Sequence, residues 1–163
     1  MTPDRSTTAP DERWVTFVRG TNRPGTVAAV TAVFATRGIS FDSLATGDAD
    51  DEVGLVVVTF RTTERRQREL VRAVDRLAAV SGVVVRRAED LGVRAAGVVH
   101  VPRGVAFRPP QEAAVSWSGD AVQGQPVLVE GPLVDVELVV DAARAAGATS
   151  SAIVIQPPER VTG

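Results

Sequence analysis

The spacing of apolar residues between positions 13 and 87 constrains the fold of this 163-residue chain more than any other feature. Residues 13–19 divide into two faces with a period of two, as in a strand, and residues 26–37 place their apolar side chains at helical spacing. The same signals predict strands over 39–46, 53–61 and 83–87, with a second helix between the last two that Ser81-Gly82 breaks. The order β-α-β-β-α-β gives two right-handed crossovers and a four-stranded antiparallel sheet with both helices on one face, which is the ferredoxin-like plan.

The face of this sheet opposite the helices also needs a cover. Residues 55–58 and 83–85 are apolar without alternation, which indicates strands that are buried on both sides. The cover is a second copy of the sheet, a partner chain or the C-terminal half, and we therefore expect an oligomer.

The C-terminal half follows a reduced form of the same plan. Strands are predicted over 93–101, 114–118, 126–130 and 151–155, and a helix opens at Gly131-Pro132, with proline in its first turn, and ends at Gly147. The order β-β-β-α-β lacks the first helix. Whether this half folds independently or completes the first sheet is left open by the sequence.

The predicted fold class is thus α+β, with two ferredoxin-like parts. A charged stretch at 87–92 predicts the boundary between them. We expect a ferredoxin-like domain at 13–91 and a smaller, truncated ferredoxin-like α+β domain at 92–157. A disordered tail is predicted at 1–12 and a further tail at 158–163, because these segments are polar or proline-rich and lack periodicity.

Composition excludes several classes of function. The chain has no cysteine, so disulfides, thiolate catalysis and zinc–thiolate sites are excluded. A net charge of −2 gives no basis for a nucleic-acid partner. No apolar run reaches the roughly 18 residues that a membrane span requires, and the N-terminus has no apolar signal segment. We therefore expect a cytoplasmic protein without membrane contact.

No group of residues has the pattern of a catalytic or metal centre. Nucleotide-binding glycine motifs and a nucleophile elbow are absent, so no cofactor or catalytic residue is predicted. His100 is the only histidine and has no ligating neighbour, which favours a structural role. Four acidic residues lie close together in the polar turn between the second and third strands, but without EF-hand spacing they indicate a solvated hairpin; they are Asp48, Asp50, Asp51 and Glu52.

The junction between the first strand and the first helix, Thr21–Gly25, is the candidate ligand site. Backbone N–H groups at the start of a helix point outward and favour a carboxylate. The simpler interpretation is a β-turn in which Pro24 presets φ and Gly25 adopts a positive φ. Local chemistry favours the turn, whereas the position of the junction in the predicted plan favours ligand binding.

The residues around this junction resemble the ACT domain, and more narrowly the N-terminal domain of acetolactate synthase small (regulatory) subunits. The similarity covers residues 14–91. It rests on the turn Asn22-Arg23-Pro24-Gly25, on the helix end Phe34-Ala35-Thr36-Arg37-Gly38 and on the strand Ile39–Leu44. Ser40 stands where that family has an asparagine, and its hydroxyl replaces an amide.

The resemblance implies a feedback sensor rather than an enzyme. ACT domains of that family pair edge to edge and bind a branched-chain amino acid, typically valine, between them. The implied ligand residues are the turn of one chain and the start of the second strand of the other; they are Asn22, Arg23, Pro24, Gly25, Thr26, Ser40 and Phe41. Val27 and Leu44 would then set the size of the ligand side chain. The implied protein partners are a second copy in a homodimer or larger assembly, and a thiamine-dependent catalytic large subunit.

Two alternatives remain open at this stage. One is a stand-alone ACT-domain dimer with a different small ligand or with a purely structural role. The other is an enzyme whose site lies in the loops at residues 102–125.

Overall fold

The computed structural model describes residues 9–159, which form two compact units, one ending at Arg87 and the other beginning at Ala88. The tails predicted at 1–12 and 158–163 lie largely outside the described residues. Glu12 does not belong to a tail, because it opens the first strand and pairs with Thr62. Its carboxylate also accepts a 2.6 Å hydrogen bond from the guanidinium of Arg87.

The first unit has the predicted order of elements. They are β1 (Glu12–Thr21), α1 (Pro24–Thr36), β2 (Phe41–Asp48), β3 (Val53–Thr62), α2 (Glu64–Asp75) and β4 (Val80–Arg87). The sheet is antiparallel with the strand order β2-β3-β1-β4, and β2 and β3 form a hairpin. The ferredoxin-like prediction is therefore confirmed, and β2 is an edge strand of the sheet.

The core of this unit lies between the sheet and the two helices. Its buried side chains alternate along the strands and recur along the helices; they are Trp14, Val18, Val30, Phe34, Ile39, Val56, Val58, Phe60, Leu70 and Val74. Phe34 packs edge-on against Phe60, with ring centroids 5.2 Å apart. On the opposite face of β1, Val15 and Phe17 are also buried, so this central strand is buried on both sides.

Two helix ends match their sequence signals. Gly38 has a φ of 60° and closes α1, with the Ile39 N–H donating to the carbonyl of Phe34. Thr63 precedes α2 and its hydroxyl accepts a hydrogen bond from the Arg66 N–H. The expectation that Ser81-Gly82 breaks α2 was wrong. The helix ends at Asp75, and both residues lie inside β4, where Ser81 is the extra residue of a β-bulge opposite Arg19 and Gly20.

The second unit forms its own sheet and does not complete the first. Its elements are β5 (Arg94–His100), β6 (Ser116–Ser118), β7 (Val127–Pro132), α3 (Leu133–Ala145) and β8 (Ser150–Ile155). The strand order β6-β7-β5-β8 repeats the order of the first unit, with a loop where the first unit has α1. The truncated ferredoxin-like plan is confirmed. Pro132 ends β7 and caps α3 rather than lying in its first turn. No helix within residues 9–159 is long and apolar enough to cross a membrane.

Candidate ligand-binding site

The β1–α1 junction is the start of a helix and not an isolated β-turn. Arg23 is extended and precedes the helix, and Pro24 occupies its first turn, where the missing N–H costs nothing. Gly25 does not have a positive φ, so the interpretation as a β-turn with a left-handed glycine was wrong. The first turn of α1 carries no acidic residue and no side-chain cap, which leaves the positive end of its dipole without a compensating group from that turn.

Gly25 is the most accessible backbone position of this junction. It is exposed, and a Cβ added to it would meet no atom within 4 Å. Pro24 has no N–H, and the Thr26 N–H donates to the carbonyl of Arg23 at 3.0 Å. Among the described residues the Gly25 N–H is therefore the first donor of α1 that can meet a ligand.

Thr26 has a structural role at the junction. Its hydroxyl donates to the carbonyl of Thr21 at 2.8 Å and lies 2.9 Å from the Thr21 hydroxyl. Thr26 is buried. A Cβ added to Gly20 would lie only 3.0 Å from the methyl group of Thr26. These contacts fix the angle at which the chain leaves β1 and enters α1.

Asn22 joins the junction to the β2–β3 hairpin. Its side-chain amide donates to a carboxylate oxygen of Asp48 at 3.0 Å, and its backbone N–H donates to the carbonyl of Glu52 at 3.0 Å. Within the hairpin, Asp50 accepts hydrogen bonds from the backbone N–H groups of Glu52 and Val53. The acidic residues thus shape a turn, and no group of three potential metal ligands occurs among residues 9–159.

A small depression lies between the junction and the hairpin. Its volume is about 40 Å³, enough for about one water molecule. The predicted residues Asn22, Arg23 and Thr26 line it, whereas Pro24 and Gly25 do not. Thr21, at the start of the predicted junction, and Val27 also line it. The remaining lining residues were missed by the sequence analysis; they are Thr46, Gly47, Gly54, Leu55 and Val56.

The other two predicted ligand residues lie at the opposite end of β2. Ser40 and Phe41 precede or open the strand, and Phe41 is 42% exposed while its ring packs edge-on against Phe34. Because β2 has eight residues, its two ends are separated by about 23 Å. Within one chain the seven predicted residues therefore form two separate groups.

The edge strand between these groups is open to solvent. Seven of the eight residues of β2 are exposed, and Leu44 near its middle is half-buried. Only β3 pairs with β2 within the sheet, so the outer edge of β2 has unpaired backbone groups. Such an edge is a template for pairing with another strand.

Comparisons with known proteins bear on the family and the fold of this chain. Residues 14–79 match the family model of the ACT domain. The chain is 36% identical over 78 residues to homoserine dehydrogenase from Pseudomonas aeruginosa and 31% identical over 78 residues to that from Methylobacillus glycogenes. Each match covers 45% of this chain, but it spans only 18% and 19% of the two relatives.

A solved structure matches across most of the chain. The acetolactate synthase small subunit from Thermotoga maritima superposes with a TM-score of 0.64 at 15% identity, and the match covers 91% of this chain and 99% of that chain. This likeness concerns the fold. Residues 14–79 thus resemble the ACT domain, and the fold of the chain as a whole resembles that of an acetolactate synthase small subunit.

Proposed function

We propose that this protein is a cytoplasmic, non-catalytic regulator that binds a small amino acid between two copies of its ACT domain and modulates a catalytic partner. In this proposal residues 13–91 are the sensor domain and residues 92–157 a second domain. The observation that carries the proposal is the position of the two groups of candidate residues at opposite ends of an exposed edge strand.

Pairing of two β2 strands would bring these groups together. If two copies pair antiparallel about a two-fold axis near the middle of β2, the end of β2 at Asp48 in one chain approaches the end at Phe41 of the partner subunit. Ser40 and Phe41 of one chain then approach the junction of the other at Asn22–Thr26. A depression that holds about one water in a single chain becomes one part of a larger pocket at the interface.

The chemistry at this position suits an amino acid. The ligand carboxylate would meet the Gly25 N–H at the positive end of α1, with the exposed guanidinium of Arg23 nearby. The ligand ammonium would lie near the carboxylate of Asp48, which Asn22 positions. Val27 and Leu44 would limit the size of the side chain.

A branched-chain amino acid is the first ligand to test, and a thiamine-dependent large subunit is the first partner. The support for both is the resemblance to acetolactate synthase small subunits, including the fold of the Thermotoga maritima protein. A ligand can regulate such a partner only if it binds two states of the assembly with different affinities. Recovery of a thiamine-dependent enzyme by affinity capture of the full chain would support this assignment.

A second candidate is a stand-alone ACT dimer with a different ligand or a structural role. Two observations favour it. Ser40 replaces the family's asparagine, and the sequence identity with the two homoserine dehydrogenases, at 36% and 31%, exceeds the 15% identity with the small subunit. Affinity capture that recovers no large subunit, together with binding of an amino acid outside the branched-chain group, would favour this candidate.

Calorimetry with two substitutions at one position tests the amino-acid site. Gly25→Asp adds a negative charge at the proposed carboxylate position, and Gly25→Asn adds a side chain of the same shape without the charge. Because a Cβ at Gly25 meets no atom, both variants should fold. Titration with valine, leucine, isoleucine, homoserine and the other standard amino acids should reveal a ligand whose affinity falls at least about tenfold further in the Asp variant than in the Asn variant. Absence of binding by any amino acid would favour a structural dimer, and equal weakening would remove Gly25 from the carboxylate site.

A further inference from the structure

The second unit contains a cavity that the ACT site does not involve. It has a volume of about 450 Å³, which lies in the range of small-molecule sites, and it is formed by residues 106–108 together with residues 117 and 119–123. It lies in the loops that the sequence left open as a possible functional region.

The cavity exists because the second unit lacks the counterpart of α1. In the first unit, Val30 and Phe34 of α1 pack onto the sheet. In the second unit a loop joins β5 to β6. Trp117 of β6 pairs with Val129, which is buried, and residues directly opposite in antiparallel strands point to the same face. With no helix above β6, Trp117 stays 43% exposed and forms one wall of the cavity.

The two loops that form the cavity are held in place. The Gly104 N–H donates to the carbonyl of Val122, which ties the first loop to the second. Gly119 has a φ of 106°, and a Cβ added to it would lie 2.0 Å from the carbonyl oxygen of Pro126, so only glycine fits there. Ala121 is buried and anchors the second loop. The cavity is therefore built by the fold of the unit.

Two opposite charges line this cavity without pairing with each other. Arg108 is exposed, and within residues 9–159 its guanidinium has no ion-pair partner. The carboxylate of Asp120 accepts one hydrogen bond, from the Gln123 N–H at 3.3 Å, through one of its oxygens. A guanidinium, a carboxylate and an aromatic wall of Phe107 and Trp117 are complementary to a zwitterion with a flat apolar side chain.

We propose that this cavity is a second ligand site, which binds an α-amino acid with an aromatic side chain. Arg108 receives the ligand carboxylate, Asp120 receives the ammonium group, and the side chain lies against Trp117 and Phe107. The site is complete within one chain and does not depend on the ACT interface.

Fluorescence provides a direct test, because the chain has two tryptophans and Trp14 is buried in the first unit. In a full-length Trp14→Phe chain, Trp117 is the only indole. L-phenylalanine should change its emission saturably below about 10 mM, whereas phenethylamine and 3-phenylpropionate, which each lack one charged group, should bind at least about tenfold more weakly. Calorimetry on the native chain gives the same comparison if Trp14→Phe does not fold.

Matched charge variants complete the test. Arg108→Gln should weaken L-phenylalanine binding at least about tenfold, whereas Arg103→Gln, an exposed arginine of the same loop outside the cavity lining, should leave it unchanged. Gly25→Asp should also leave it unchanged, which separates this site from the ACT site. No saturable binding, or equal effects of Arg103→Gln and Arg108→Gln, would overturn the proposal.

Discussion

Two adjacent threonines before α2 should have opposite effects on stability. The Thr63 hydroxyl caps the helix, whereas the Thr62 hydroxyl is buried and has no hydrogen-bond partner among the described residues. A buried polar group without a partner costs free energy that an apolar group of the same shape does not. Thr62→Val should therefore raise the free energy of unfolding by about 1 kcal/mol, and Thr63→Ala should lower it by about 0.5–1 kcal/mol.

Urea denaturation followed by circular dichroism measures both changes. The native chain is the reference, and the backbone carbonyl of Thr62, which accepts from the indole of Trp14 at 3.1 Å, is kept in the valine variant. A Thr62→Val chain that is less stable than the native chain would show that the Thr62 hydroxyl has a stabilising partner.

Single residues mark the limit of what the sequence could reveal about the candidate site. Pro24 and Gly25 fitted both a β-turn and the start of a helix, and local chemistry could not separate the two. The contact of Asn22 with Asp48 spans 26 positions and depends on the register of the β2–β3 hairpin. Nothing in the sequence indicated that Gly47 and Gly54 line the depression, because glycine carries no side-chain chemistry.

At the scale of elements, the strands and helices were largely predictable because their periodicity is local. Each strand and helix of the first unit occurs in the predicted order, and Gly38 ends α1 as its sequence indicates. The errors lie where one residue type suits two structures. Ser81-Gly82 can break a helix or form a β-bulge, and pairing with β1 selected the bulge. Pro132 can enter a helix or end a strand, and pairing with Arg94 placed it in β7.

The edge strand β2 provides a test of the proposed dimer. Ala45 lies near the middle of β2, close to the two-fold axis of the proposed antiparallel pairing, so Ala45→Lys brings two like charges close together across the interface. We expect the dimer dissociation constant to rise at least about tenfold, because lysine on an edge strand opposes pairing. Analytical ultracentrifugation measures this constant.

Ala35→Lys is the matched control for this substitution. Ala35 is exposed on α1 and does not belong to β2, so the added charge is the same and the pairing strands are unchanged. The Ala35→Lys chain should associate like the native chain. If Ala45→Lys associates equally well, the two copies do not pair through β2.

At the scale of the whole molecule, the chain uses one strand order twice. The orders β2-β3-β1-β4 and β6-β7-β5-β8 correspond, and the missing helix of the second unit was predictable from the lack of helical spacing between β5 and β6. The structural consequences of the missing helix were not predictable from the sequence. The exposure of Trp117 follows from the missing helix, and the cavity beside Asp120 depends on how the loops at residues 106–108 and 119–123 meet in three dimensions.

The central claim is that the amino-acid site of the ACT domain is completed by a second copy. The most direct test is calorimetry of the Ala45→Lys chain, kept monomeric, with the amino acid whose binding to the native chain is weakened by Gly25→Asp. We predict no saturable heat at the ACT site below about 10 mM, because Ser40 and Phe41 of the partner subunit are missing, whereas Ala35→Lys should bind like the native chain. A folded Ala45→Lys monomer that binds this amino acid with native affinity would contradict the claim.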